Sequence, residues 1–555
     1  MSKKNKTAEQ IETTIWLKYR AGVENHRMHN LFTSTERNYR FYEGDQWFGV
    51  PKSENLPTAN FIKPTVNYKV SMVAMNTMQI VYSPLDYSEE SIAVCDVLNK
   101  YASQKWERLK LDSLCWDVIL NAAVAGDSYL YFYNKNLDCQ IIRNTDIFFA
   151  NEQERDIQKQ EYIIVQERRP VNEIRRIAKE NKIPEEDIEN IIGDSDTDSI
   201  IGDTEEVKSA DESNRKCMCL LYLGRNDDGD IVVCRSTKYT VYQKETVLKG
   251  LKRYPIASFV WGPMLNSARG TGEVKPLISN QFETNKLLAR RCRSAAQNAF
   301  AKPVYMKNQV ENPEDIGALG TAIALRGNGT PQDIKQIFDY IAPAPMSQEA
   351  SLLQSDLITT SRELAGAGNA ALGQINPSRA SGDAIMAVVD QSAIPMNMQT
   401  AAYRQFVEDV ALIFFSYWRV YATDEGLSVS YIVNDEITNG RLIVKKVLTR
   451  DQITTTDVGV KIDATATNPY SKLAEEQSIE VARNAGYISF EEYVEALPYN
   501  SIAPKSRYEE IIKKRNRNAA AAPEMPVDTP MKAQGTTMPK SSGMKTAQLP
   551  HNSTL

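Results

Sequence analysis

Four acidic residues, Asp194, Asp196, Asp198 and Glu205, stand where a calcium-binding loop places ligands at its positions 1, 3, 5 and 12. Apolar Ile201 falls at position 8, so the spacing could wrap carboxylate oxygens round one hard cation. Position 6, however, is Ser199 where the sharp turn calls for glycine, and no amphipathic helix follows. The surrounding stretch, 184–212, is acid-rich throughout and reads as a solvated excursion. His26 and His29 form an HxxH pair on an expected helix, but no third ligand lies near them in sequence, and His551 sits close to the end of the chain. The pair is read as solvated helix positions.

Cys217 and Cys219 form a lone CxC without the second pair that a zinc site needs. With Cys95, Cys115, Cys139, Cys234 and Cys292 they make an odd, scattered set, read as free thiols of a reducing cytoplasm. Phosphate-cradling motifs also fail. Gly44 to Gly49 has the glycine spacing of a P-loop but is followed by Val50 instead of lysine. Gly270-Thr-Gly272 meets Lys275 where a dinucleotide fingerprint needs glycine, and no G-x-S-x-G elbow occurs. No catalytic constellation, metal or other cofactor is therefore expected.

The elements that position these residues follow from length and pattern. A chain of 555 residues is too long for one core, so several regions are expected. With 42% hydrophobic and 25% charged residues it belongs with folded proteins, and its net charge of −6 argues against a surface that grips phosphates all over. The start, MSKKNKTAEQIE, lacks the apolar stretch of a signal peptide, and the longest apolar run, Val410–Trp418, is too short to span a membrane.

The first ~45 residues are helical in pattern and stop at Gly44. Residues 90–125 read as further helix, broken at Gly126. Strands follow over 127–150, with an Asn-rich turn, and over 217–261, where Asn226-Asp-Asp-Gly229 turns a hairpin. The first half is thus mixed, and the whole is expected to be α+β with helix predominant.

A helix is expected over 277–300, bounded by Pro276 and Pro303. Leu288, Cys292, Ala295 and Ala299 make one face apolar and small, with Lys286, Arg290 and Arg293 opposite. Residues 303–345 form a short Pro- and Gly-rich segment. A second helix, 347–365, carries Leu353, Leu357 and Leu364 on one face and Glu349, Asp356 and Glu363 on another. A loop of glycines and small residues, 366–382, separates it from a long helix over 383–421, in which Pro395 should impose a kink. Beyond it Phe406, Val410, Ile413 and Tyr417 mark a buried stripe. Strands return over 427–464, short helices over 470–515 include a capping box from Ser489 to Glu492, and the tail from 516 reads as disordered.

This order of parts resembles the portal proteins of tailed bacteriophages over roughly residues 30–515. The resemblance is carried by Tyr39-Arg-Phe-Tyr-Glu-Gly-Asp-Gln-Trp47, Pro64-Thr-Val-Asn-Tyr68 and Tyr254-Pro-Ile. It continues in Gly270-Thr-Gly-Glu-Val-Lys-Pro-Leu-Ile-Ser-Asn-Gln281 with Asn285, and in Ser381-Gly-Asp-Ala-Ile385.

What the resemblance implies is a ring, usually of twelve subunits, round a channel at one vertex of the virion capsid, assembled in the host cytoplasm. Residues 1–276 and 382–465 would form the wing, 277–302 and 346–366 the stem, 303–345 the clip, 367–381 the tunnel loop and 466–515 the crown, ahead of a disordered tail, 516–555. Double-stranded DNA would pass through the channel, driven by the terminase large subunit. Head–tail adaptors would later take the motor's place, the major capsid protein would surround the ring, and no membrane is involved. Asn369, Gln374, Asn376 and Arg379 of the tunnel loop would touch DNA weakly. Lys286, Arg290 and Arg293 would either pair with the acidic stripe of the second helix, in the same or a neighbouring subunit, or face DNA. Two other functions fit the same residues: a different virion head–tail adaptor, or a nucleic-acid-processing enzyme with an unrecognised motif.

Overall fold

Glycines and left-handed residues set the helix ends of the first half. Helices α1 (Ala8–Met28) and α2 (Leu31–Glu43) are separated at Asn30, whose φ of 54° is left-handed. Gly44, at φ 97°, caps α2 by returning its N–H to the Arg40 carbonyl. After α3 (Ile62–Ala74) and strand β1 (Thr77–Pro84) comes α4 (Glu89–Arg108), capped by the Ser88 side chain. A turn at left-handed Lys110 leads into α5 (Leu111–Ala125), which ends at Gly126. The computed structural model describes residues 8–48, 56–75, 77–86, 88–194, 215–298, 302–317, 322–326, 336–341, 348–366, 394–422, 427–434, 441–465, 479–497, 507–508 and 511–512. The chain divides into two units, Met1–Asn468 and Pro469–Leu555.

Strands β2 (Asp127–Tyr133), β3 (Asp138–Arg143) and β9 (Ile256–Val260) form one antiparallel sheet in the order β3-β2-β9. A second sheet runs β4-β5-β6-β7-β8, from β4 (Ile147–Phe149) and β5 (Tyr162–Pro170) through β6 (Lys216–Arg225) and β7 (Ile231–Ser236) to β8 (Val241–Leu248). Between β5 and β6 the chain makes α6 (Val171–Glu180) and the short α7 (Glu185–Glu189). The β6–β7 hairpin turns at Asn226–Gly229, as the sequence pattern predicts.

The second half adds α8 (Val274–Asn298), the strand pair β10 (Lys302–Tyr305) and β11 (Phe338–Ile341), α9 (Gln348–Leu364) and α10 (Asn397–Tyr421). Strands β12 (Leu427–Asn434) and β13 (Arg441–Leu448) pair with each other, and α11 (Arg450–Thr455) leads to β14 (Val458–Thr465). The second unit holds α12 (Phe490–Ala496), opened by the expected capping box of Ser489 and Glu492. The fold class is α+β.

Helix α8 begins at Val274, not after Pro276, which lies in its first turn. The first N–H groups of a helix have no acceptor within it, so proline there breaks nothing.

The core of the first unit gathers round α10. Phe406, Val410, Ile413 and Tyr417 are all buried, as their spacing predicts. Phe414 meets Phe132 edge to face, the Tyr417 hydroxyl donates to the Phe132 carbonyl, and the Tyr82 hydroxyl donates to that of Ala411. Strand β1 pairs antiparallel with β14, from Thr77 against Thr465 to Pro84 against Val458. That pairing joins the two ends of the unit, and no local pattern foretold it.

Three glycines let backbones touch at the centre. A Cβ on Gly126 would overlap the Gly270 carbonyl, one on Gly270 the Gly126 carbonyl, and one on Gly272 the Val124 carbonyl. Gly229, by contrast, has positive φ but open space round it. Replacing Gly126 by alanine should therefore cost about 2–4 kcal/mol, from a backbone clash and a φ of 122° together, and Gly229→Ala only about 1 kcal/mol. Thermal unfolding of the two variants checks this, and equal losses would show that the close approach relaxes freely.

Candidate functional site

Helices α8 and α9 pack side by side with a polar seam. Gln281, Thr284 and Asn285 of α8 are wholly buried. Gln281 accepts from the Phe61 N–H (3.0 Å) and donates to the Ala59 carbonyl (2.8 Å) and to Asn285 Oδ1 (3.0 Å). Asn285 accepts in turn from the Ala59 N–H (3.1 Å) and donates to Gln46. Across the pair, Asn280 donates to the Ser361 hydroxyl (3.0 Å) and Arg291 to the Gln354 carbonyl oxygen. Gln354 and Ser361 are buried.

Of the leucines of α9, Leu353 is 51% and Leu364 78% exposed, with Leu352 beside them at 62%, while Leu357 of the expected stripe is half-buried. Of the expected apolar face of α8, Leu288 is half-buried and Cys292 and Ala295 are exposed, so that face is not packed within the subunit. At the far end, β10 and β11 pair from Lys302 against Ile341 to Tyr305 against Phe338, leaving Val304, Tyr340 and Ile341 exposed.

The basic stripe is only partly engaged. Lys286 pairs with Glu283 of its own helix at 2.8 Å and lies 4.3 Å from the centre of the Phe282 ring. Arg290 and Arg293 are exposed. Among the described residues no ion pair joins this stripe to Glu349, Asp356 or Glu363, so pairing with the acidic stripe inside one subunit is not what the fold uses. The loop residues Asn369, Gln374, Asn376 and Arg379 lie outside the described residues. Pro395 sits in a 3-10 turn, Ile394–Met396, that leads into α10, and the chain before it, where the kink was expected, lies outside them too.

The helix pair is rooted in a buried ionic junction. Arg269 Nε donates to Glu152 Oε2 at 2.8 Å, and Nη1 donates to the Asn144 carbonyl (2.9 Å) and Asp127 Oδ2 (3.3 Å). Nη2 donates to the Ile147 carbonyl (2.8 Å), Glu152 Oε1 (2.9 Å) and His26 Nε2 (2.8 Å). Just beyond, Glu273 accepts from Lys69 (2.6 Å) and Trp261 (3.2 Å) as α8 begins. Sequence reasoning missed this junction. Its nearest sequence signal is a lone arginine set against the two glycines of Gly270-Thr-Gly272.

The solvated reading of His26 is corrected, while His29 is exposed as expected. Ile15, Tyr19 and His26 fall on one stripe of α1, and that stripe faces the second sheet, where His26 stacks on Phe148 at 4.5 Å. A guanidinium can only donate, so His26 Nε2 accepts and the ring is neutral. Burial lowers the His26 pKa, and the charge of Arg269 adds to that against the opposing pull of Glu152. For Glu152, burial alone would raise the carboxyl, but the Arg269 guanidinium holds it at about 2.

The calcium-loop candidate does not gather a ligand set. Asp194 accepts from Arg168 (3.1 Å) and from the Met218 N–H (3.1 Å), while Asp196, Asp198 and Glu205 lie outside the described residues. Among the described residues no group of His, Cys, Asp and Glu could hold a metal ion, and no helix is long and apolar enough to cross a membrane. All seven cysteines are free.

A family model described as phage P22-like portal protein matches residues 24–535. No curated protein matches the sequence.

The junction makes stability depend on pH with a calculable sign. Below about pH 6.5 the unfolded chain takes up a proton at His26 that the folded chain resists, so stability falls as pH falls. A second loss should begin below about 4.5, where unfolded Glu152 protonates but the folded carboxylate persists down to about 2. Melting curves between pH 7.5 and 5.5 should be flatter for His26→Gln than for the parent. Equal slopes would assign the titration to another group.

Proposed function

The chain belongs to the phage P22-like portal protein family, and from that premise we propose how its parts share the work of a portal. A portal protein sits at a capsid vertex of the virion and serves DNA packaging and head-to-tail connection. In the proposed ring, residues 277–302 and 346–366 form the stem and 303–345 the clip. Residues 1–276 with 382–465 form the wing, 367–381 the tunnel loop and 466–515 the crown. Twelve copies close the ring, assembled in the host cytoplasm.

The observation that carries this reading is the packing of α8 on α9. Their seam joins Asn280 to the Ser361 hydroxyl and Arg291 to Gln354, while Leu352, Leu353 and Leu364 of α9 are exposed. A lone subunit would leave that apolar stripe in water, and a neighbour related by rotation would cover it. Arg290 and Arg293, exposed in one subunit, then meet either Glu349, Asp356 and Glu363 of that neighbour or the DNA backbone. The first arrangement rigidifies the ring, and the second lines the channel with cations.

DNA must slide, so its contacts should be weak and polar. The amides of Asn369, Gln374 and Asn376 and the single guanidinium of Arg379 suit that need, touching phosphates without reading bases. The terminase large subunit supplies the ATP hydrolysis and docks on the clip, where Val304, Tyr340 and Ile341 offer an apolar surface. Head–tail adaptors take the same surface after packaging, and the major capsid protein holds the wing.

Changing Leu353 and Leu364 together to aspartate should turn rings into folded monomers, because both side chains are exposed in the subunit and only assembly would bury them. Native mass spectrometry with circular dichroism reads both properties, and rings that persist would remove the leucine stripe from the interface.

Deleting Ala370 to Ser378 should leave rings intact but shorten the DNA packaged or retained per particle. Full-length genomes in such particles would reduce the loop to a connector.

A further inference from the structure

The loop from Gly262 to Ala268, between β9 and α8, carries an apolar knob. Leu265 is 96% exposed, Met264 lies beside it at 41%, and left-handed Asn266 (φ 52°) turns the chain between them and α8. The loop is held at its base, since the Ala268 N–H donates to the Glu152 carbonyl and Arg269 is anchored in the junction. Leu265 and Met264 thus stand as an adjacent apolar pair on an anchored turn, a shape that a concave apolar surface could receive.

On the other side of α2 lies a hole. A pocket of about 330 Å³ is lined by Phe41, Phe48 and Phe282 together with Arg37 and Arg40. The two guanidinium groups lie 5.7 and 5.1 Å from the centres of the Phe41 and Phe48 rings, and Phe48 is 44% exposed. Ser34 and Asn38 face the cavity that Met264 and Leu265 border, whereas Arg37 and Arg40 face this pocket. At 100° per residue the mean directions of these two pairs differ by about 110°, a little under a third of a turn. Knob and hole therefore flank α2 on different sides.

A subunit in a cyclic ring presents one surface to each neighbour, and the two surfaces are different. The hole is also continuous with the outward stripe of α8, because Phe282, Lys286, Arg290 and Arg293 follow one another along that helix at helical spacing. We propose that Met264 and Leu265 of one subunit seat in the pocket of Phe41, Phe48 and Phe282 on the next subunit. The occupant is a second copy of this chain, and the contact rests on the ring reading above. It places an apolar lock beside α2, separate from the leucine stripe of α9.

The test uses the full chain with Cys292, the exposed thiol, changed to serine. Leu265→Cys combined with Phe48→Cys should give a ladder of oxidised oligomers on a non-reducing gel, and neither single variant should. Separately, Leu265→Asp should raise the protein concentration needed for rings by roughly tenfold without altering the fold, the side chain being exposed in the subunit. Rings that form normally, with no ladder from the double variant and unchanged assembly of Leu265→Asp, would overturn the lock and leave the portal reading standing. A parent chain that forms no rings at all would overturn both.

Discussion

The buried guanidinium of Arg269 is the constraint on which the rest of the subunit depends. It is 6% exposed and saturated by two carboxylates, two carbonyls and a neutral imidazole. Those partners come from α1, from β2, from β4 and from the turns on either side of β4, so one side chain fixes where a helix and both larger sheets meet. Removing a partner from such a cluster typically costs about 3–5 kcal/mol, because the remaining charge is stranded away from water. Asp127, wholly buried, is the most exposed to that penalty: it also accepts from the Tyr129 hydroxyl and the Gly270 N–H. The approach of Gly126 to Gly270 holds the arginine in register and sets the starting point of α8.

From that root the polarity of the long helix pair makes physical sense. Hydrogen bonds are directional, so the two bonds of the seam, Asn280 to Ser361 and Arg291 to Gln354, specify one rotation of α9 about α8, while Gln281 and Asn285 tie α8 to Gln46, Ala59 and Phe61. Apolar contact is non-directional and proportional to area, and it is left on the outside. The helix pair thus has its mutual rotation set by hydrogen bonds and leaves apolar side chains uncovered in the subunit. In the proposed ring that division would be apt, since the ring would have to be cohesive while its lining stayed polar enough for DNA to slide.

Apart from Ser381–Ile385, which lies outside the described residues, the strings that carry the family resemblance turn out to be parts of this scaffold. Tyr39 donates to Asn121, Tyr42 to Asn67, Gln46 to the Phe41 carbonyl, and Tyr254 to the carbonyls of Gln160 and Glu161. Gly270 to Asn285 supplies the glycine contact, the Glu273 pairing and the amide seam in turn. These residues hold the fold through hydrogen bonds and close backbone approach, and their types and spacing match no reactive constellation.

Features governed by short-range backbone rules were legible in the sequence. Gly44 and Gly126 ended helices because only glycine enters their φ values cheaply, Asn226–Gly229 turned a hairpin, and the period of Phe406, Val410, Ile413 and Tyr417 identified a buried face. Where a face points was decided only by the tertiary structure. The same helical periodicity that buried α10 left Leu353 and Leu364 in solvent, because the seam of α9 was already taken by hydrogen bonds. His26 read as solvated until α1 was seen to lie on the second sheet, and β1 could not be matched with β14 without knowing that α10 packs beneath both. Periodicity says that a helix or strand has two unlike faces; only a partner distant in the chain, in this subunit or the next, decides which of them is covered.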